Sequence, residues 1–357
     1  MVDSCGGACA CRSGASRPAA GSLHLASGNA HTLGLLRRTA AGLGLGLGTD
    51  AGLLVVEASG VAAFLAAAGG TLTVTEAQEV RAFFALAGAA TVADALAAQP
   101  LATLSARIEH AHVLALLDAE SAFYSRYQPI VDLASGATVA HEALLRAELD
   151  GEEVQPATLF SAAEAANRLH VLDRIGRETA IRDAASWLGE ATLFVNFIPT
   201  SIYRPEICLQ TTERVVEESG VARDHLVFEV VESHRVAEVA HLLAILDHYR
   251  HSGYRVALDD VGAGYSSLNL LAALRPDVVK IDIDLVQGLP GANAIAVVRG
   301  IVTMAHELGA LVVGEGIETA GQAEAAGELG VDLGQGWLFG RPQRPTPADR
   351  VLSAAPS

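Results

Sequence analysis

LVFEVVES at 226–233, RVALDDVG at 255–262, DVVKID at 277–282 and LVVGEG at 311–316 are short apolar, β-branched runs that end in carboxylates or a lysine. FVNF at 194–197 is a fifth run of this kind. Between them lie stretches with helical apolar spacing, such as TERVVEES from 212, VAEVAHLLAILDHYRHSG from 236 and VVRGIVTMAHELG from 297. The interval from Asn196 to Glu229 is 33 residues, from Glu229 to Asp259 it is 30, and from Lys280 to Glu315 it is 35. Each interval is the length of one βα unit, so the pattern predicts a parallel sheet, and about 220 residues suit a (β/α) barrel.

Upstream of Tyr124 the texture differs. Short apolar runs (LHLA, LLVVEA) alternate with helical segments (NAHTLGLLRRTA, TEAQEVRAFFALAG) from 22 to 100, which predicts a small α+β domain. Thr75 and Thr91 stand where helix N-caps are expected. The glycines at 42, 44, 46 and 48 do not meet the dinucleotide-binding spacing and are read as a turn or loop. Residues 101–123 read as one connecting helix, 1–21 as a flexible cysteine-bearing segment, 124–345 as the barrel and 346–357 as a tail.

The chain has 357 residues, 51% of them hydrophobic, and a net charge of −17. That charge argues against a nonspecific grip on a nucleic acid polymer or an anionic membrane. Four cysteines in this length are not a disulfide framework, and no secretory leader or membrane span is expected, so a cytoplasmic protein is predicted. Cys5, Cys9 and Cys11 do not have the spacing of a standard zinc finger.

The chemistry-bearing residues fall at strand ends. Asn196, Glu229, Asp259, Asp260, Lys280 and Glu315 each close an apolar run, and the strand ends of a parallel barrel converge on one face. Carboxylates and an amide are hard oxygen donors that suit Mg²⁺ or Mn²⁺. Asp259 and Asp260, as neighbours on a strand, share a site only if the strand ends between them. Lys280 is the only lysine in the chain, although the chain carries 24 basic residues. Five carboxylates, including Glu142, are balanced by two divalent cations and this one ammonium. Such a pair of cations is the apparatus for attack of water on a phosphodiester.

HEALLR at 141, FVNF at 194, FEVVES at 228, LDDVGAGYSS at 258, VVKID at 278, VGEGIET at 313 and GQGWLFGRP at 334 resemble, in order and spacing, the EAL domain of cyclic di-GMP phosphodiesterases. The resemblance implies a modified (β/α)8 TIM-type barrel that hydrolyses cyclic di-GMP to linear pGpG with two Mg²⁺ or Mn²⁺ ions, and a homodimer. It further implies that Glu142, Asn196, Glu229, Asp259, Asp260 and Glu315 bind metal, with Asp259 bridging. Lys280 would orient or deprotonate the attacking water, Gln335 would hold the water and metal shell, and Glu232 and Glu318 would be supporting acids. Arg146 and Gln128 would contact substrate. The departures are Val261 and Ala263, where the family commonly has Phe and Thr, together with Ile198 and Trp337. Val261 and Ala263 are the one feature that favours a binding-only receptor over an active enzyme.

Overall fold

The computed structural model describes residues 21–50, 52–85, 91–230, 239–262 and 267–345. Contacts divide the chain into two compact units. Of the described residues, one unit contains Glu120–Pro156 and those from His170 to 345, and the other contains those from 21 to Ala119 together with Ala157–Leu169.

The smaller unit is built on an antiparallel sheet of β1 (Ser22–Ala26), β2 (Leu47–Asp50), β3 (Leu53–Val56), β4 (Arg81–Ala85) and β5 (Gln99–Pro100), in the order β2-β3-β1-β4-β5. Leu23 and Leu25 on β1 face the helices Ala30–Gly42 and Val61–Thr71, where Leu36, Phe64 and Leu65 complete a core. Thr91 caps the helix Val92–Leu96 as expected. Thr75 is not a cap. Thr73 takes that place because its hydroxyl and the Glu76 carboxylate bond each other's backbone N–H groups three residues apart. Residues 157–169 join this unit through Arg168, which pairs with Asp118 at 2.9 Å, and through Arg107, which donates to the Ala166 carbonyl. The single helix expected over 101–123 is broken into Leu101–Glu109, Ala111–Leu114 and two turns of 3₁₀ helix. His110, with φ −96°, leaves the helical region between the first two pieces.

In the larger unit β6 (Phe123–Asp132), β7 (Thr138–Leu149), β9 (Thr192–Phe197), β10 (Leu226–Val230), β11 (Arg255–Val261), β12 (Val278–Ile281), β13 (Leu311–Gly314) and β14 (Leu333–Gln335) close into a barrel, with β8 (Glu152–Val154) appended to β7. The strands from β7 through β9 to β14 run parallel, whereas β6 is antiparallel to both its neighbours. The α/β barrel fold is therefore present, and the reversed β6 is its modification.

Alternation along the strands organises the interior. Each barrel strand contributes one residue to a buried apolar layer: Ile130, Ala140, Phe194, Val227, Ala257, Val278, Val313 and Leu333. A step of two residues returns the chain to the same face of a strand. Two residues on (two back on the reversed β6) stand Gln128, Glu142, Asn196, Glu229, Asp259, Lys280, Glu315 and Gln335. An apolar floor thus supports a polar ring contributed by all eight strands.

Outside the barrel wall a buried ion pair ties the helix Leu169–Ala184 to the loop after β9. Asp173 accepts from Arg177 at 3.0 Å and from the backbone N–H of Ile198 at 2.7 Å, and Arg177 also donates to Thr212. Both charged side chains are 2% exposed. Asp173→Ala leaves the guanidinium buried without its partner, and urea denaturation should show a loss of about 3–5 kcal/mol. An unchanged midpoint and slope would show that the pair does not hold these elements together.

Candidate active site

Lys280 stands at the centre of the polar ring, 1% exposed. Its ammonium lies 2.7 Å from Glu315 Oε1, 3.0 Å from Glu229 Oε2, 3.1 Å from Asp259 Oδ1 and 3.5 Å from Glu142 Oε2. Burial alone would pull its pKa down, but the four surrounding carboxylates outweigh it and hold the group well above an ordinary lysine. The amides order the other side of the ring. Asn196 donates to Glu142 Oε1 at 2.8 Å and Gln335 to Glu142 Oε2 at 2.6 Å, while Gln335 also reaches Gln128 at 3.2 Å.

The carboxylates have different environments. Burial raises Glu142, but Lys280, Gln335 and Asn196 bring it below the usual range. Burial drives Glu229 well above the usual range, and Lys280 offsets this only in part. Burial pushes Glu315 up to about 8 against the pull of Lys280.

Asp259 and Asp260 reach one site by a route different from the expected one. The strand does not end between them, because β11 continues to Val261. Instead the register shifts between Leu258 and Val261, and Asp260 takes φ +55°. A bulge with one left-handed residue turns two consecutive side chains to the same side. Carboxylate oxygens of Asp259, Asp260 and Glu315 consequently lie within 4.8 Å of one another.

The remaining predicted residues are placed as follows. Glu318 is exposed and 3.5 Å from the Gln287 amide, so it does not join the ring. Arg146 lies above the ring on β7, paired with Glu153 at 3.6 Å. Glu232, Ala263, Cys5, Cys9 and Cys11 lie outside the described residues. Ile198 is buried and its N–H is taken by Asp173, while Trp337 is 55% exposed with the Arg341 guanidinium 3.9 Å over its ring.

A divalent cation fits this donor set. Glu229 Oε1 and Gln335 Oε1 are buried without a hydrogen-bond partner, and neither can be rehydrated cheaply. Glu142, Asn196, Glu229, Asp259, Asp260 and Glu315 are all hard oxygen donors with no sulfur among them, the set preferred by Mg²⁺ or Mn²⁺. One cation would use Asp259, Asp260 and Glu315.

The raised pKa of Glu315 gives a signed prediction. A carboxyl whose folded pKa lies above its ordinary value of 4.5 stabilises the fold at low pH and loses that contribution as pH rises toward about 8. In a chelator, the thermal stability of the parent relative to Glu315→Gln should fall between about pH 4.5 and pH 8. Mn²⁺ affinity, read by titration calorimetry, should rise over the upper part of that window as the proton is displaced. A pH-independent difference would contradict the assignment.

The EAL domain family model matches residues 110–342. A probable cyclic di-GMP phosphodiesterase of Escherichia coli, PdeB, is 32% identical over 219 residues, covering 60% of this chain and 42% of that protein. The cyclic di-GMP phosphodiesterase NbdA of Pseudomonas aeruginosa is 31% identical over 222 residues, covering 60% of this chain and 28% of that protein. The chain thus spans less than half the length of these curated relatives. Among solved structures, the PaMucR phosphodiesterase in its c-di-GMP complex superposes with a TM-score of 0.59 at 27% identity, covering 66% of this chain and 97% of that one. An EAL domain protein of Listeria monocytogenes gives 0.59 at 27% identity, covering 66% and 93%. With the barrel, the reversed first strand and the polar ring in place, the family match over residues 110–342 makes this chain a member of the EAL-domain family.

Proposed function

We propose that the chain hydrolyses one phosphodiester of cyclic di-GMP to linear 5′-pGpG, using two Mg²⁺ or Mn²⁺ ions. The observation that carries this reading is the complete ring: every strand supplies a donor or a charge, and the only lysine of the chain stands among four carboxylates. The named relatives and the c-di-GMP complex support the choice of substrate.

Glu142, Asn196, Glu229, Asp259, Asp260 and Glu315 would hold the cations, with Asp259 shared. Bound there, the cations supply Lewis acidity toward the phosphoryl oxygens and lower the pKa of bound water. Water adds to phosphorus, the P–O3′ bond breaks, and the departing O3′ takes up a proton to give a free 3′-hydroxyl and a 5′-phosphate. Lys280 acts as a donor and a positive charge. From its place among the proposed ligands it would orient or deprotonate the attacking water. Gln335 and Asn196 fix the Glu142 carboxylate by one hydrogen bond to each oxygen. Gln128 is held at the rim by Gln335 and by the Gly340 carbonyl, in reach of a ligand entering from above. A cytoplasmic homodimer with an N-terminal regulatory unit is the assembly that goes with this reading. No helix among the described residues is long and apolar enough to cross a membrane.

The test is anion-exchange separation of products after incubation with cyclic di-GMP and Mn²⁺. The parent should convert it to pGpG, and Lys280→Ala should lower kcat by roughly 10²–10⁴-fold while still binding cyclic di-GMP. Tight binding without turnover by the parent would instead mark a receptor.

A further inference from the structure

The face of the sheet that carries Glu142 continues beyond the ring as a basic lip. Antiparallel pairing sets Gln128 opposite Glu142, Arg126 opposite Leu144 and Tyr124 opposite Arg146, and sets Glu153 of β8 opposite Glu148. Residues opposite one another share a face, and so do alternate residues along a strand. Tyr124, Arg126, Arg146 and Glu153 therefore project from the same face as Glu142. Four residues of extended strand put the backbone of Arg146 about 13 Å from that of Glu142 along β7, and the length of the arginine side chain brings its guanidinium within reach of a phosphodiester one nucleotide away from the ring.

One carboxylate gathers the donors of this lip. Glu153 Oε2 lies 2.7 Å from Arg126 Nη2 and accepts from the Tyr124 hydroxyl, and Glu153 Oε1 lies 3.6 Å from Arg146 Nε. The Arg344 guanidinium stacks 3.6 Å over the Tyr124 ring and lies 3.7 Å from Glu148. Ion pairs this close to solvent contribute little to stability, so stability does not explain why two arginines and a tyrosine converge on one group. Their geometry is that of an anion site, with the Glu153 carboxylate in the place of the anion.

We propose that Glu153 is an internal competitor for the substrate: it occupies the Arg126–Arg146–Tyr124 site in the free protein and is displaced by the phosphodiester that is not under attack. This rests on the cyclic di-GMP reading, because that ring carries a second phosphodiester away from the scissile one. Glu153 is then a specificity-determining residue that sets KM. It takes no part in the bond-breaking step, and a ligand that places no anionic group between Arg126 and Arg146 gains nothing by displacing it.

The experiment compares Glu153→Gln with the parent in Mn²⁺. KM for cyclic di-GMP should fall about threefold or more, in keeping with removal of one exposed ionic competitor, with kcat within twofold. An unchanged or raised KM, or a change confined to kcat, would overturn the proposal. A titration with inorganic pyrophosphate in chelator separates this from the wider reading. If the parent neither binds nor hydrolyses cyclic di-GMP, tighter pyrophosphate binding by Glu153→Gln still supports the lip as an anion site occupied by Glu153. Equal binding by the two proteins would overturn it.

Discussion

The buried ammonium of Lys280 among four carboxylates is the interaction on which the rest of the larger unit depends. Isolated charges are expensive to bury, and a cluster of like charges is more so. Glu229 is fully buried and Glu142 nearly so, and neither has solvent to disperse its charge. Without a central cation the ring would have to take up protons or open. Counted formally, the carboxylates of Glu142, Glu229, Asp259 and Glu315 around the single ammonium leave the cluster net negative. Divalent cations would compensate that remaining negative charge, so the imbalance of the ring is also its capacity to bind cations.

The barrel makes this arrangement possible through strand alternation. Eight strands place an apolar residue at one level and a polar residue two positions along, so the floor and the ring are successive layers of one pattern. The floor excludes water from below, which strengthens every interaction in the ring above it. The reversed β6 brings Gln128 to the same level from the opposite direction and extends the wall upward with β7 and β8. A lip of arginines on an otherwise acidic chain is a consequence of that extension.

Much of the site was legible because βα units repeat at a near-constant interval and end in polar residues. Asn196, Glu229, Asp259, Lys280 and Glu315 follow from that spacing alone, while Glu142 and Gln335 came from the family resemblance. The route taken by Asp260 was not legible, because a bulge depends on the hydrogen-bond register with the neighbouring strand and leaves no mark in local composition. The break at His110 is of the same kind, since 101–123 keeps helical apolar spacing throughout and only packing interrupts it. Thr73 could have been found, because a Thr followed by Glu three residues later is a capping-box pattern. Glu153 carried no signal, because a carboxylate on a short hairpin strand looks like any solvated charge.

From the sequence alone came the fold class, the set of hard oxygen donors and the singular position of Lys280, since each depends on local periodicity and on residue type. The tertiary structure determined the level at which those residues meet, the turning of Asp260 to the side of Asp259 and the pairing of Arg146 with Glu153. These depend on strand register and barrel closure, which join residues as far apart as Gln128 and Gln335. No local pattern encodes the distance between two side chains that only the closing of the sheet brings together.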